Sequence, residues 1–365
     1  MFEIGSGTYS FKDPPERVGI DDSISSFGNG EEDTVEFRKI VREGIEYRFD
    51  PLTQNLSRLN PARAKRLKQA EISDQVQGLV QRSARTCPFC PARIAQVTPT
   101  FPPELWEDGR VERGETLIFP NLNPFGEHHA VGTITRAHYL ELDAFHPGQL
   151  LDNLAAAKTY FHAAHRYDAR ARFPVYIWNY MPPSAGSILH PHVQLMLEQE
   201  ALPRLQHLLE QSRRYERDYG SSYWRDLTEA EEQRGERFIA KNASFTVLAT
   251  FAPRGFREIA FVFHEANCLV SLDKASMTRL AKALLRALRG YKSMGVGSFN
   301  LVSYSAPMGA SVSYFPLLMV LISRPYPSGV YTNDTGALER LYDTWVIDTR
   351  PEDVAQAMRP HFGAS

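Results

Sequence analysis

One pattern of strands and a helix occurs twice along this chain of 365 residues, and this duplication restricts the folds open to it. In the first copy, TLIFPN, HAVGTIT and VYIWNY have the composition of strands, a helical segment precedes VYIWNY, and HPHVQLML follows it. The second copy repeats this order with SFTVLAT, IAFVFH, a helical segment, SFNLVSYS and SVSYFPLLMVLI. Two such strand–helix–strand units predict an α+β fold, with a mostly antiparallel sheet and flanking helices to one side.

The two copies match in spacing but not in chemistry. Asn179 lies eleven residues before His190, and Asn300 lies eleven residues before Ser311. The positions thereby equated with His190, His192 and Gln194 are Ser311, Ser313 and Phe315. A hydroxyl without a neighbouring base is a poor nucleophile, so we predict that the second copy performs no chemistry and completes the core.

The strand HPHVQLML places unusual side chains together. Side chains alternate along a strand, so His190, His192 and Gln194 would share one face. A single histidine in a core usually just makes a hydrogen bond, but a neutral imidazole can also bind a metal or act as a nucleophile. The other face would be wholly apolar, with Leu189, Pro191, Val193, Leu195 and Leu197.

The composition is that of an ordinary globular protein, with 43% hydrophobic and 23% charged residues. A net charge of −2 does not indicate a broad surface for nucleic acid. We expect no signal peptide, because the N-terminus lacks a basic stretch followed by an apolar one, and no membrane span, because FPLLMVLI is too short. Three cysteines make no disulfide framework, so a cytoplasmic location is expected; they are Cys87, Cys90 and Cys268.

Changes in polarity divide the chain into four predicted segments. The first residues mix glycine, serine, proline and acidic residues, and a second polar stretch separates the two copies. We predict a polar N-terminal arm at 1–44, a first repeat with the active site at 45–202, a charged helical connector at 203–236 and a degenerate repeat at 237–365.

Cys87 and Cys90 have the spacing of a zinc knuckle, in which two thiolates bind one ion. One Cys-x-x-Cys also suits a redox pair or arises by chance, and a closed tetrahedral site needs two more ligands. Histidines would have to supply them, and His138 and His190 are candidates. The competing histidines are His128 and His129.

Two further segments have the chemistry of phosphate binding. Arg63, Lys65 and Arg66 form a short basic run, and arginine offers fork-shaped donors that suit phosphate oxygens. The turn SAGS, which ends at Ser187, could bring backbone N–H groups close to a phosphate. A solvated basic face and an ordinary loop are the simpler interpretations of these two segments.

Taken in order, five motifs resemble those of the galactose-1-phosphate uridylyltransferase family, within the histidine-triad superfamily. They are DPLTQNLSRLNPARAKR, CPFCP, LIFPNLNPF, HPHVQ and RPEDVA. The resemblance covers roughly residues 45 to 355, and it implies a duplicated histidine-triad-like domain.

The resemblance implies a role for each matching residue. His192 would attack the α-phosphorus of a nucleotide donor, such as a UDP-glucose-type nucleotide sugar, and hold the nucleotide covalently until a sugar 1-phosphate takes it. Gln194 would hydrogen-bond the phosphate oxygens. The implied nucleotide and phosphate contacts are Arg63, Arg66, Asn121, Asn179 and Ser187, and the implied ligands of a structural zinc are Cys87, Cys90, His138 and His190.

The expected partners are a nucleotide or nucleotide sugar and a phosphorylated acceptor, with neither nucleic acid nor membrane, and a homodimer is one candidate assembly. The sequence departs from the family at Leu122, at IWNYM, which keeps only Asn179, and at LERLYDTWVID. The base and the acceptor therefore stay open. The alternatives are a phosphorylase, with a diadenosine tetraphosphate or nucleotide-sugar donor and inorganic phosphate as acceptor, and an inactive nucleotide-binding protein.

Overall fold

The computed structural model describes residues 35–65, 75–327 and 333–363. The strands in these ranges are β1 Lys39–Arg42, β2 Ile45–Phe49, β3 Leu56–Leu59, β4 Val111–Arg113, β5 Thr116–Pro120, β6 His128–Thr133, β7 Phe173–Tyr180, β8 His192–Glu198, β9 Phe238–Lys241, β10 Phe245–Ala249, β11 Phe256–Phe263, β12 Ser298–Tyr304, β13 Leu318–Arg324 and β14 Trp345–Ile347. The α-helices are α1 Gln75–Ala84, α2 Pro91–Val97, α3 Pro147–Tyr167, α4 Pro203–Tyr219, α5 Tyr223–Arg234, α6 Lys274–Ser293, α7 Ala337–Leu341 and α8 Pro351–Phe362. None of these helices combines the length and the apolar character needed to cross a bilayer.

A single antiparallel sheet of ten strands joins the two copies. Its order is β4-β5-β6-β8-β7-β12-β13-β11-β10-β9, so the second half mirrors the first. In each half a long helix, α3 or α6, links the third strand to the next one in sequence. The duplication and the α+β fold are therefore confirmed.

The register of the sheet shows which residues of the two copies correspond. Ile177 lies opposite Val302 at the centre, where β7 pairs with β12. From this pair, one row of cross-strand partners runs outward in each direction. The row in the first copy is Ile177, Gln194, Val131 and Phe119, and that in the second is Val302, Val320, Ala260 and Leu248.

The register corrects the predicted alignment of the copies. Val320 corresponds to Gln194, and Leu318, which pairs with β11, corresponds to His192, which pairs with β6. Equating Ser311, Ser313 and Phe315 with His190, His192 and Gln194 was wrong, because Asn300 is not the counterpart of Asn179. With Ile177 matched to Val302, that counterpart is Tyr304, four residues further along the chain. The path from Val302 to Val320 is also one residue longer than the path from Ile177 to Gln194. The three misaligned residues of the second copy all lie ahead of β13, so spacing alone could not locate the true counterparts.

The two faces of the sheet have different coverings. The alternation predicted for β8 is confirmed, since Val193, Leu195 and Leu197 are buried in the core that α3, α6 and α8 form on one face. Buried alanines of α3 leave room for α6 to pack closely against it. The predicted charged connector is helical, but α4 and α5 pack on the opposite face of the second half. Helices therefore flank the sheet on both faces rather than on one.

A second, four-stranded sheet of order β1-β2-β3-β14 ties the two ends of the described chain together, with β14 parallel to β3. Buried Arg48 of β2 makes ion pairs with Glu46 and with Glu352 of α8. Glu352 also pairs with Arg237, so this network fixes the small sheet to the second repeat. Strand β1 lies within the segment predicted as an arm, and the division into four segments stays a prediction.

Candidate active site

Four metal-ligating side chains meet beside the first half of the sheet. The ligand atoms of Cys87, Cys90, His138 and His190 all lie within 4.8 Å of one another. Cys90 Sγ is 3.4 Å from His138 Nδ1 and 3.7 Å from His190 Nδ1, and Cys87 Sγ is 3.8 Å from His190 Nδ1. Bond lengths to zinc of about 2.3 Å for sulfur and 2.0 Å for nitrogen place tetrahedral ligands about 3.6 Å apart, so this arrangement fits a closed zinc site.

The remaining ring nitrogens of both histidines are held by acceptors, as a metal site requires. His190 Nε2 donates to the carbonyl oxygen of Thr135 at 2.7 Å, and His138 Nε2 lies 2.9 Å from the hydroxyl of Ser83 on α1. Each Nδ1 lone pair therefore faces the thiols. Burial lowers the pKa of His190 to about 4 and also lowers that of His138, so both rings are neutral at pH 7 and available as ligands.

His192 begins β8 next to this cluster and is oriented by it. Its Nδ1 donates to the carbonyl oxygen of His190 at 2.7 Å, so the other nitrogen, Nε2, carries the lone pair of the neutral ring. The ring of Phe89, from the Cys-x-x-Cys loop, packs edge-on against the His192 ring, with 5.1 Å between the two ring centroids. Burial lowers the pKa of His192 below its usual value, which keeps the ring neutral and nucleophilic.

Gln194 shares the strand face of His192 and is oriented by His129 of β6. His129 Nδ1 accepts a hydrogen bond from the backbone N–H of Phe125, so its Nε2 carries the hydrogen. That Nε2 lies 3.1 Å from Gln194 Oε1, to which it donates, and 3.0 Å from Asn121 Nδ2, which lies beside the same ring nitrogen. Because the Gln194 oxygen is engaged in this way, the amide NH₂ group is the part left to donate to a ligand.

A pocket of about 320 Å³ opens in front of His192 and Gln194. Phe119 and Val131 form its floor, and Asn121 and Ser187 line it as well. Two large apolar side chains at its mouth are strongly exposed, Leu122 at 71% and Phe125 at 68%. The volume is within the range of small-molecule sites, and the apolar mouth suits a planar ring.

The small-residue turn before β8 has a conformation that only a few residues allow. Met181 and Ala185 have positive φ angles of 72° and 67°, a backbone conformation that residues other than glycine rarely adopt. A Cβ on Gly186 would lie 2.8 Å from the carbonyl oxygen of Asn179, so glycine is required there. The turn presents Ser187 exposed at the edge of the pocket.

The other residues implied by the family resemblance lie elsewhere or outside the described chain. Asn179 is on β7 at the junction of the two copies, where its amide oxygen accepts from Asn300 at 2.7 Å, and it does not line this pocket among the described residues. Arg63 is exposed on a short 3-10 helix, Pro61–Lys65, and does not line the described pocket either. Arg66 lies outside the described residues, so the nucleotide roles of these three residues stay predictions.

His129 is the residue whose place in the site the sequence did not reveal. It was considered only as a competing zinc ligand, yet it contacts Gln194 and lies outside the Cys/His cluster. Alternation along HHAVGT puts His129 on the face of Val131, which lines the pocket, and this was a usable signal. His128, on the other face, is instead close to Asp168, with 3.3 Å between Nε2 and Oδ2.

Comparisons with known proteins show the fold. No model of a protein family matches the chain. An uncharacterised protein of Archaeoglobus fulgidus is 27% identical over 322 residues, which are 88% of this chain and 93% of that protein.

Solved structures with a similar fold include an ADP-glucose phosphorylase from Arabidopsis thaliana with bound ADP-glucose. It has a TM-score of 0.68 and 20% identity, and the match covers 86% of this chain and 98% of that one. A uridylyltransferase has a TM-score of 0.62 and 21% identity over 87% of this chain and 98% of its own. The resemblance to the galactose-1-phosphate uridylyltransferase family is thus confirmed at the level of the fold.

Proposed function

We propose that this protein is a nucleotidyltransferase that moves a nucleoside monophosphate from a nucleotide sugar of the UDP-glucose type to a sugar 1-phosphate, through a covalent nucleotidyl-histidine on His192. The observation that supports this most strongly is the hydrogen bond from His192 Nδ1 to the His190 carbonyl oxygen, which leaves Nε2 as a lone pair facing a pocket. A neutral imidazole held in one orientation is an activated nucleophile.

The reaction divides into two displacements. In the first, the His192 Nε2 lone pair forms a bond to the α-phosphorus, and the bond from phosphorus to the leaving sugar-phosphate oxygen breaks, with its electrons going to that oxygen. In the second, a phosphate oxygen of the acceptor attacks the same phosphorus and the N–P bond breaks. The His190 carbonyl keeps its hydrogen bond throughout and stabilises the positive charge of the modified ring.

Gln194 would stabilise the charge that develops on the phosphoryl oxygens. Its NH₂ group is directed to the pocket because His129 engages its oxygen. Preoriented donors of this kind, in a site shielded from water, lower the barrier because they need no reorganisation as the reaction proceeds. The apolar mouth at Leu122 and Phe125 would hold the base.

The zinc implied by the Cys/His cluster would be structural. Cys87, Cys90, His138 and His190 would hold it with all four positions filled, so it would fix the backbone of the His190–His192 segment and leave the chemistry to the side chains.

A phosphorylase is the second candidate, with inorganic phosphate as the acceptor in the second displacement. A specific observation favours it. One of the similar structures is an ADP-glucose phosphorylase.

The covalent step can be tested by mass. The purified chain is incubated with each donor alone: UDP-glucose, ADP-glucose, a GDP-sugar and diadenosine tetraphosphate. We expect an added, acid-labile nucleoside monophosphate that is absent in His192→Ala and present in His162→Ala, a control in an exposed histidine of α3. An adduct that persists in His192→Ala excludes His192 as the nucleophile, and no adduct with any donor supports an inactive nucleotide-binding protein.

The acceptor is then identified in turnover assays. Each donor is paired with galactose 1-phosphate, glucose 1-phosphate or inorganic phosphate, and kcat/KM is compared across the pairs. We expect no single sugar phosphate to dominate, since binding would rest mainly on the phosphates. If UDP-glucose with galactose 1-phosphate exceeds all other pairs by about a thousandfold, roughly 4 kcal/mol, the sugar is read closely and the weak-selectivity proposal is wrong.

A further inference from the structure

The second copy contains a cavity at the position that corresponds to the His192 pocket. Leu248, Ala260 and Val320 line it, and these are the sheet partners that match Phe119, Val131 and Gln194 of the first copy. Its volume is about 350 Å³, close to the 320 Å³ of the first pocket. Protein cores are normally packed to leave few such voids. The second copy lacks the histidine and glutamine of the first copy, and the space beside these positions is still open.

The walls of this cavity are aromatic. Tyr223 and Trp224 come from α5, Tyr304 from β12 and Trp345 from β14, and Phe251 follows β10. Leu318 stands where the first copy has His192, so the site has no nucleophile at that position. Aromatic walls over an apolar floor favour stacking of a planar ring, and the site suits binding without chemistry.

Three buried polar atoms on residues that line the cavity have no hydrogen-bond partner among the described residues, and one of them is the hydroxyl oxygen of Thr250. Glu231 Oε1 accepts from Arg237, but Oε2 of the same fully buried carboxyl group has no partner. The indole Nε1 of Trp345 has none either. Buried groups of this kind are normally satisfied, so the cavity offers an occupant an acceptor at Glu231, a donor at Trp345 and the hydroxyl of Thr250.

The more exposed part of the lining carries two arginines, Arg204 and Arg254, and one carboxylate, Asp50. Arg204 and Arg254 both direct Nη1 to the side-chain amide of Asn55, at 2.7 and 2.8 Å, and the amide oxygen accepts from both when the amide is turned to place it there. Both side chains are only partly buried, whereas Glu231 and Glu258 are buried. Arg254 Nη2 also donates to Asp343 at 2.9 Å, so the donors left for an anionic group come chiefly from Arg204.

We propose that the second copy keeps a noncatalytic binding site for a planar heteroaromatic ligand with an anionic substituent, the chemistry of a nucleoside monophosphate. The ring would stack between the aromatic walls, donate to Glu231 and accept from Trp345, and the phosphate would meet Arg204 and Arg254. This site is separate from the His192 pocket, and the inference does not depend on nucleotidyl transfer.

Tryptophan emission distinguishes the two sites. Trp224 and Trp345 line the second cavity, whereas the described lining of the His192 pocket has no tryptophan. The full chain is titrated with adenosine monophosphate and with uridine monophosphate while fluorescence and equilibrium dialysis are recorded. We expect one equivalent of at least one probe to bind with a change in emission.

A matched pair of variants then locates that equivalent. Ala260→Phe fills the second cavity, and Val131→Phe makes the same change at the corresponding position of the first. We expect Ala260→Phe to weaken the fluorescence-linked binding about tenfold or more, because the added ring occupies the space of the ligand, and Val131→Phe to leave it within about twofold. Thermal melting confirms that both variants are folded.

Trp345→Phe keeps the ring but removes the N–H donor, so it tests the site even if Ala260→Phe does not fold. We expect it to weaken the same binding severalfold. The proposal is overturned if neither probe changes the emission, if the fluorescence-linked equivalent is lost in Val131→Phe and retained in Ala260→Phe, or if Trp345→Phe leaves the affinity unchanged. Adduct formation on His192 in these variants reports separately on the proposed transferase activity.

Discussion

His129 holds Gln194 in one orientation across the β6–β8 pair, with 3.1 Å between the ring Nε2 and the amide oxygen. His129 and Gln194 are not direct partners in the sheet register, since Gln194 lies opposite Val131. The contact is therefore made by the side chains on the pocket face. It determines which end of the Gln194 amide is presented to a ligand.

The first prediction is that His129→Phe slows nucleotidyl transfer to His192 without abolishing it. Loss of the donor frees the Gln194 amide to rotate, so we expect the single-turnover rate to fall about tenfold to a hundredfold, with a smaller effect on donor affinity. His129→Gln, which retains an N–H donor, should recover part of the rate. The matched control is His128→Phe on the opposite face of the same strand, and an equal loss in that variant would contradict the orienting role.

The second prediction concerns the metal. Metal analysis of the purified chain should give about one zinc per chain, and Cys87→Ser should lose it and melt at a lower temperature. Cys268→Ser removes a buried cysteine outside the cluster and should keep full occupancy. Ser83→Ala removes the partner of His138 Nε2 and should weaken metal affinity about tenfold. Full occupancy in His138→Ala would show that the ligand set is wrong.

The third prediction is that Ser313→Ala leaves turnover nearly unchanged. The serine hydroxyl is exposed, donates to Glu216 at 2.8 Å and lies ahead of β13, away from the position that corresponds to His192. Removal of an exposed hydrogen bond should change the free energy of unfolding by about 0.5 kcal/mol or less. A large fall in the single-turnover rate, with melting unchanged, would reveal a second catalytic site in the degenerate copy.

The fourth prediction is an acid sensitivity that arises from Glu352. Burial by itself raises the pKa of this carboxyl group, but hydrogen bonds and charge from Arg48 and Arg237 outweigh it and lower the pKa to about 2. The unfolded chain, with a pKa near 4.5, therefore binds more protons below that pH. The stabilisation is fully present above about pH 4.5 and is lost as the pH falls toward 2.

Glu352→Gln should accordingly reduce the free energy of unfolding by about 2 kcal/mol at pH 7, because it leaves two buried arginines short of a partner. The difference between this variant and the unchanged chain should shrink as the pH is lowered from 5 to 3. Glu236→Gln is the control, since that carboxyl group is largely exposed and contacts the same Arg237. Denaturant unfolding at each pH measures both, and a pH-independent difference would contradict the assignment.

Local sequence determined the duplication, the two faces of β8 and the cysteine pair of the Cys/His cluster, whereas the two histidines of that cluster were implied by the family resemblance. Alternation along a strand depends only on consecutive residues, so HPHVQLML specified that His190, His192 and Gln194 share a face before any partner strand was known. The spacing of Cys87 and Cys90 is likewise local. These predictions were independent of how distant parts of the chain come together.

Tertiary structure decided the features that depend on register and packing. Leu318, not Ser313, corresponds to His192, mainly because Asn179 and Asn300, which precede the two segments by the same number of residues, are not counterparts in the sheet register. The contact between His129 and Gln194, and the cavity that α5 closes over Val320, each join residues far apart in sequence. Such contacts depend on how whole strands and helices pack together, and a pattern of consecutive residues does not contain that information.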